Sequence, residues 1–130
     1  MKHRATCACG QLQVSVDGEL TRASLCHCHQ CQKRTGSAFG YQVRVARSEV
    51  TVSGRSTAYE RKAEGVVTLH FCPVCGSTVY WTLDGLPDDV VIAAGAFAGV
   101  STPPPPTFSV YEARMHPWVI LPDSVTTHWE

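Results

Sequence analysis

Seven cysteines in three short groups constrain this chain more than any other feature: Cys7-Ala8-Cys9-Gly10, Cys26-His27-Cys28-His29-Gln30-Cys31 and Cys72-Pro73-Val74-Cys75-Gly76. Two thiols on a tight turn can aim both sulfurs at one cation, and a following glycine lets backbone amides turn toward the thiolates. Cys72 to Gly76 has that form, with Pro73 fixing the dihedral at the start of the turn. A single buried cysteine is commonly a small hydrophobe, but none of these stands alone. An odd count also fits disulfides badly. The set therefore reads as metal ligands. Thiolate-rich tetrahedral sites select zinc or iron–sulfur clusters, and the clusters more often use longer cysteine runs with a trailing proline, so zinc is expected.

Seven ligands divide into four and three. A four-cysteine site is closed and structural, whereas a three-cysteine site leaves a position for water or substrate. Spacing alone allows two divisions. If the middle group stays together as Cys26, Cys28 and Cys31, then Cys7, Cys9, Cys72 and Cys75 close the other site. If instead Cys28/Cys31 pair with Cys72/Cys75 as in a zinc ribbon, Cys7, Cys9 and Cys26 are left over.

The rest of the chain reads as strands. Leu12, Val14 and Val16 alternate with polar residues, as do Tyr41, Val43 and Val45, then Val67, Leu69 and Phe71, then Val79, Trp81 and Leu83. Val90 to Ala94 is continuously apolar, as a strand covered on both faces would be. Only Gln30 to Thr35 suits a helical turn or two, ended by Gly36. Turn dipeptides at Asp17-Gly18, Ser53-Gly54, Glu64-Gly65, Asp84-Gly85 and Pro87-Asp88 space the segments as an antiparallel meander requires. Pro103 to Pro106 predicts a stiff connector of roughly 12 Å before a final strand near Phe108 to Tyr111. At 130 residues one domain over residues 1–130 is expected.

Eleven basic residues cancel eleven acidic ones, so no overall field draws the chain to nucleic acid or an anionic membrane. The run Met1 to Cys7 lacks the apolar stretch of a secretory signal, and no apolar run reaches the roughly 18 residues of a membrane span. A cytoplasmic location is expected, where unpaired thiols persist.

Cys-x-Cys-Gly at Cys7 to Gly10, Cys-His-Cys-x-x-Cys at Cys26 to Cys31 with Gly36 downstream, Phe-Cys-x-x-Cys-Gly at Phe71 to Gly76 and Pro117-Trp118 occur in an order and spacing that span nearly the whole chain. In these the chain resembles the glutathione-dependent formaldehyde-activating enzyme family, which includes the centromere protein V group. The resemblance implies a mostly β, beta-tent fold of several coiled antiparallel sheets stapled by zinc. It implies two zinc ions per chain, a structural one on Cys7, Cys9, Cys72 and Cys75 and a reactive one on Cys26, Cys28 and Cys31. It implies carbon–sulfur lyase chemistry in which formaldehyde is added to, or removed from, the thiol of glutathione. The expected partners are thus a small thiol and an aldehyde.

His27 and His29 lie between ligands and could supply a proton or a fourth ligand, but the plainer reading turns them toward solvent or a backbone carbonyl. Lys33, Arg34, Arg44 and Arg47 could anchor the carboxylates of glutathione, although each reads first as solvated surface. Trp81, Trp118 and Trp129 read as core or rim packing. A non-catalytic zinc scaffold, binding a protein or sensing thiol-reactive compounds, is the competing function. Nucleic-acid binding ranks last, since no basic run with interleaved aromatics occurs.

Overall fold

The computed structural model describes residues 2–130, Ala63 by its backbone only, and Met1 of the N-terminal run lies outside them. In chain order the strands are β1 (Lys2–Thr6), β2 (Gln13–Asp17) and β3 (Ala23–Cys26), followed by helix α1 (His29–Thr35). Then come β4 (Gly40–Ala46), β5 (Val50–Ser53), β6 (Thr57–Ala63), β7 (Gly65–Phe71), β8 (Thr78–Leu83), β9 (Asp89–Ala93), β10 (Phe108–Val110) and β11 (Thr127–His128). The protein is mostly β, as expected. Among the described residues no helix is long and apolar enough to cross a membrane.

Two sheets form, a three-stranded one ordered β1-β2-β5 and an eight-stranded one ordered β11-β10-β3-β4-β9-β8-β7-β6. The small sheet is antiparallel throughout. The large sheet is mixed, which corrects the expectation of antiparallel sheets: β10 runs parallel to both β3 and β11. Parallel neighbours need long connections, and β10 and β11 are joined through residues 111–126.

The main core joins the two sheets. Ala5, Val14 and Val16 from the small sheet meet Val43, Val45, Val90 and Ile92 from the large one, with Phe97 fully buried between them. A second cluster, Leu69, Trp81 and Val91, covers the other face of the large sheet. Val91 and Ile92 are adjacent, so a strand covered on both faces is what the apolar run at Val90 to Ala94 required.

One register differs from simple alternation. Phe71 pairs Thr78 while His70 pairs Tyr80, so Val79 is an extra residue in β8. Such a bulge flips the side-chain order beyond it. Val79 therefore faces the main core, whereas Trp81, two residues on, belongs to the second cluster.

The proline segment forms no strand or helix. It is pinned where it stands: the Tyr41 hydroxyl donates to the Pro104 carbonyl at 2.6 Å and the Ser124 hydroxyl to that of Pro106 at 2.7 Å. The strand after it stops at Val110, one residue short of expectation, because Tyr111 is left-handed (φ 58°, ψ 42°). It is not the last, since β11 follows.

Candidate metal centres and the adjoining cleft

Two turns of like construction build the first cysteine cluster. After β1 the chain folds back so that the Gly10 N–H reaches the Cys7 carbonyl at 3.1 Å and the Leu12 N–H reaches Cys7 Sγ at 3.3 Å. Before β8, the Gly76 N–H reaches the Cys72 carbonyl at 2.9 Å while the amides of Val74 and Cys75 point at Cys72 Sγ at 3.3 and 3.5 Å. Gly10 and Gly76 close the turns at φ 85° and 84°, a conformation that other L-residues rarely adopt.

These turns bring the sulfurs of Cys7, Cys9, Cys72 and Cys75 within 4.8 Å of one another. Cys7 and Cys9 are 3.6 Å apart, and Cys9 and Cys72 are 3.7 Å apart. Tetrahedral zinc with Zn–S bonds of about 2.3 Å needs sulfur–sulfur edges of about 3.8 Å. The donor set therefore fits that ion. Gln11, which the sequence did not single out, braces the cluster: its Nε2 donates to Cys72 Sγ at 3.0 Å and to the Arg55 carbonyl at 2.7 Å.

The thiols of this cluster are shifted in opposite directions. The Ser77 hydroxyl and amide lower Cys75 to about 5. The Gln11 backbone lowers Cys9, but desolvation together with the sulfurs of Cys7, Cys72 and Cys75 outweighs it and raises the thiol to about 11.

The second cluster is local. Cys26 ends β3, Cys28 caps α1 with its sulfur accepting the Cys31 N–H at 3.3 Å, and Cys31 lies in the first turn of the helix. Gly36, left-handed at φ 69°, ends the helix as the sequence indicated. The three sulfurs lie within 4.8 Å of one another, and among the described residues no fourth histidine, cysteine or carboxylate atom joins them. Cys31 is lowered to about 5, chiefly by the thiol of Cys26, with Arg34 and Cys28 assisting against burial. Cys26 is driven up by that same shared bond and by burial. The zinc-ribbon alternative is not what the chain forms, since Cys28 and Cys31 lie apart from Cys72 and Cys75.

His27 corrects the expectation made for it. It is fully buried rather than turned to solvent, and its Nε2 meets the Ser109 hydroxyl at 2.9 Å rather than a carbonyl. Near it Glu112 accepts from His128 Nδ1 at 2.8 Å. His27 Nδ1 is buried without a partner. Burial holds the ring below its ordinary pKa, so it is neutral. His29, by contrast, is exposed.

A cleft of 570 Å³ runs from the Cys7–Ala8 turn past Ser77 and Tyr41 to Arg34, Thr35 and Phe39. Of the four basic residues considered as anchors, Arg34 alone lines it. Arg44 pairs with Asp89 at 3.4 Å, Arg47 donates to the Pro87 carbonyl at 2.9 Å, and Lys33 is exposed. Trp81 is buried, as a packing residue should be, but Trp118 and Trp129 are 70% and 64% exposed.

The sequence matches the family model described as glutathione-dependent formaldehyde-activating enzyme over residues 2–114. No curated protein matches it. In fold the chain is similar to the crystal structure of a Rhodobacter sphaeroides protein, a Northeast Structural Genomics target. The TM-score is 0.62 at 17% identity, covering 98% of this chain and 99% of that one.

Proposed function

The chain belongs to the glutathione-dependent formaldehyde-activating enzyme family, and from that premise we propose that it is a zinc-dependent carbon–sulfur lyase that adds an aldehyde to a glutathione-like thiol, or removes it. One observation carries the reading: among the described residues three thiols gather without a fourth ligand, while four others form a separate complete set. On this reading Cys7, Cys9, Cys72 and Cys75 hold a structural zinc, Cys26, Cys28 and Cys31 hold a second, and both serve one domain over residues 1–130. Zinc at a three-thiolate site supplies an open position that favours the thiolate form of an incoming thiol.

The chain's own residues set the rest. The thiolate sulfur bonds to the carbonyl carbon, the carbonyl π pair moves to oxygen, and that oxygen takes a proton; the lyase direction reverses each movement. Buried His27 is neutral and committed to Ser109, so it positions the loop between Cys26 and Cys28 and leaves protonation to exposed His29 or water. The Cys28 cap and the Thr35 hydroxyl, which donates to the Cys31 carbonyl at 2.9 Å, hold both ends of α1. None of the seven cysteines is paired in a disulfide, which supports a reducing, cytoplasmic setting.

The formaldehyde–glutathione adduct forms unaided, so the test is exchange at equilibrium, read by NMR with native protein and Cys28→Ser. Native protein should accelerate exchange and the variant should not. Equal exchange with both removes the lyase reading for this pair. The thiolate character of Cys31 also favours a second reading, sensing of thiol-reactive compounds. A protein that is alkylated at Cys31 but never accelerates exchange would be that sensor.

A further inference from the structure

The chain after β10 carries apolar surface that the fold does not cover. None of residues 111–124 is buried, although the stretch holds Met115, Trp118, Val119, Ile120 and Leu121. Ile120 is 92% exposed. Trp118 stands on a turn that the Val119 N–H closes on the His116 carbonyl at 3.1 Å. The exposed Val52, Tyr59, Val74 and Val100 are scattered singly over the rest of the chain, which is ordinary for a protein surface, whereas a run of apolar residues marks a contact site.

The stretch is held at both ends. Gln32 of α1 meets His116 Nε2 through its Oε1 at 2.9 Å and donates through its Nε2 to the Arg114 carbonyl at 3.3 Å. At the other end the Ser124 hydroxyl bonds the Pro106 carbonyl and the Val125 N–H reaches the Pro122 carbonyl at 3.1 Å. Such a surface is unfavourable in water and loses little freedom on docking, because its backbone is already fixed.

Charge indicates what covers it. Between Arg114 and Asp123 there is no aspartate, glutamate, lysine or arginine, so one cation and one anion bracket the apolar stretch. Both are exposed, and neither forms an ion pair among the described residues. A two-fold axis through the stretch runs two copies in opposite directions, so that Arg114 of each copy meets Asp123 of the other while apolar residues meet apolar residues. The two charges are equally far apart in both copies, so the pairs match whatever that separation is. Side chains of this size and exposure leave on the order of 500 Å² of apolar surface. Two copies would then remove about 1,000 Å² from water, the least that a specific interface needs.

We propose that residues 115–122 are the self-association face of this protein, and that their partner is a second copy of the chain packed across a two-fold axis with Arg114 and Asp123 paired at each end. The proposal uses no metal and no step of the chemistry above.

Sedimentation equilibrium of the full chain over a micromolar concentration series tests it. Native protein should pass from 14.1 kDa to twice that mass as concentration rises. Ile120→Asp, at a position that the single chain leaves in water, should keep the native circular dichroism and weaken association at least about thirtyfold, the scale of a central interface residue. Arg114→Asp and Asp123→Arg each bring like charges together and should each weaken association about tenfold. The two combined should restore it. A native chain that stays at 14.1 kDa throughout the series overturns the proposal and leaves the face to a different partner. A dimer that Ile120→Asp does not weaken also overturns it, since the copies would then meet elsewhere. If Ile120→Asp loses its fold, the charge reversals decide: recovery in the double variant supports the two-fold pairing, and a double variant no better than either single one sinks it.

Discussion

The two cysteine clusters use the same ligand chemistry at opposite ends of sequence distance. Cys9 and Cys72 are 63 residues apart and come from turns attached to different sheets, β1 in the small one and β8 in the large. Cys26, Cys28 and Cys31 lie within one strand end and one helical turn. A metal in the first position closes a long loop, so its binding free energy is folding free energy. A metal in the second joins residues that the β3–β4 pairing and the α1 cap already hold. The first site should therefore be part of the fold, and the second should be carried by it.

The largest effect expected from that difference is at Cys72, which is fully buried and accepts three hydrogen bonds at its sulfur. Cys72→Ser should abolish the cooperative thermal transition, because structural zinc contributes on the order of 10 kcal/mol and a domain of this size is stable by about 5–15 kcal/mol. A variant that melts cooperatively within a few degrees of native protein would show that the first cluster is not a staple.

Next in size is the order of metal loss. On the two-zinc reading, a mild chelator should remove one zinc with the far-ultraviolet circular dichroism unchanged, and the second only as that signal collapses. Cys28→Ser should start with the first zinc already missing and its fold intact, since serine caps a helix as well as the residue it replaces. Loss of circular dichroism together with the first zinc would erase the distinction between the clusters.

The same contrast explains what could be read from the sequence. Ligand spacing within each group is local, and so are the α1 stop at Gly36 and the buried run of β9, which is why these were legible. Which groups share a cation depends on long-range pairing, and spacing alone left the ribbon alternative open. The edge strand β6 carries Thr57 to Ala63 with no apolar alternation and Tyr59 59% exposed, so periodicity did not mark it. The Val79 bulge and the parallel course of β10 are products of register, which no single segment encodes. Arg34 looked like surface because Trp81, whose ring its guanidinium faces at 4.2 Å, and Gly40, whose missing Cβ leaves it room, lie on strands β8 and β4. The burial of His27 was hidden for the same reason, its partner Ser109 being 82 residues away.

That last contact gives the smallest prediction and the sharpest test of how the second cluster is supported. Glu112 is held below its ordinary value of 4.5, burial being outweighed by the nearby Ser109 hydroxyl and by the hydrogen bond and charge of His128. A carboxylate with a depressed folded pKa adds stability that is fully present above its unfolded pKa and is lost as pH falls through its folded one. His128 is half exposed, so the pair is screened and the contribution should be under about 1 kcal/mol. Glu112→Gln should thus melt slightly lower than native protein at pH 6 to 7, with the gap closing as the pH falls below about 4. The cluster itself should respond less than the fold: zinc in the three-cysteine site should stay, because Ser109 still meets His27 in the variant. If Glu112→Gln instead releases that zinc at neutral pH while melting is unchanged, the chain from His128 to His27 acts on the reactive site directly, and the second cluster is less self-contained than its local geometry implies.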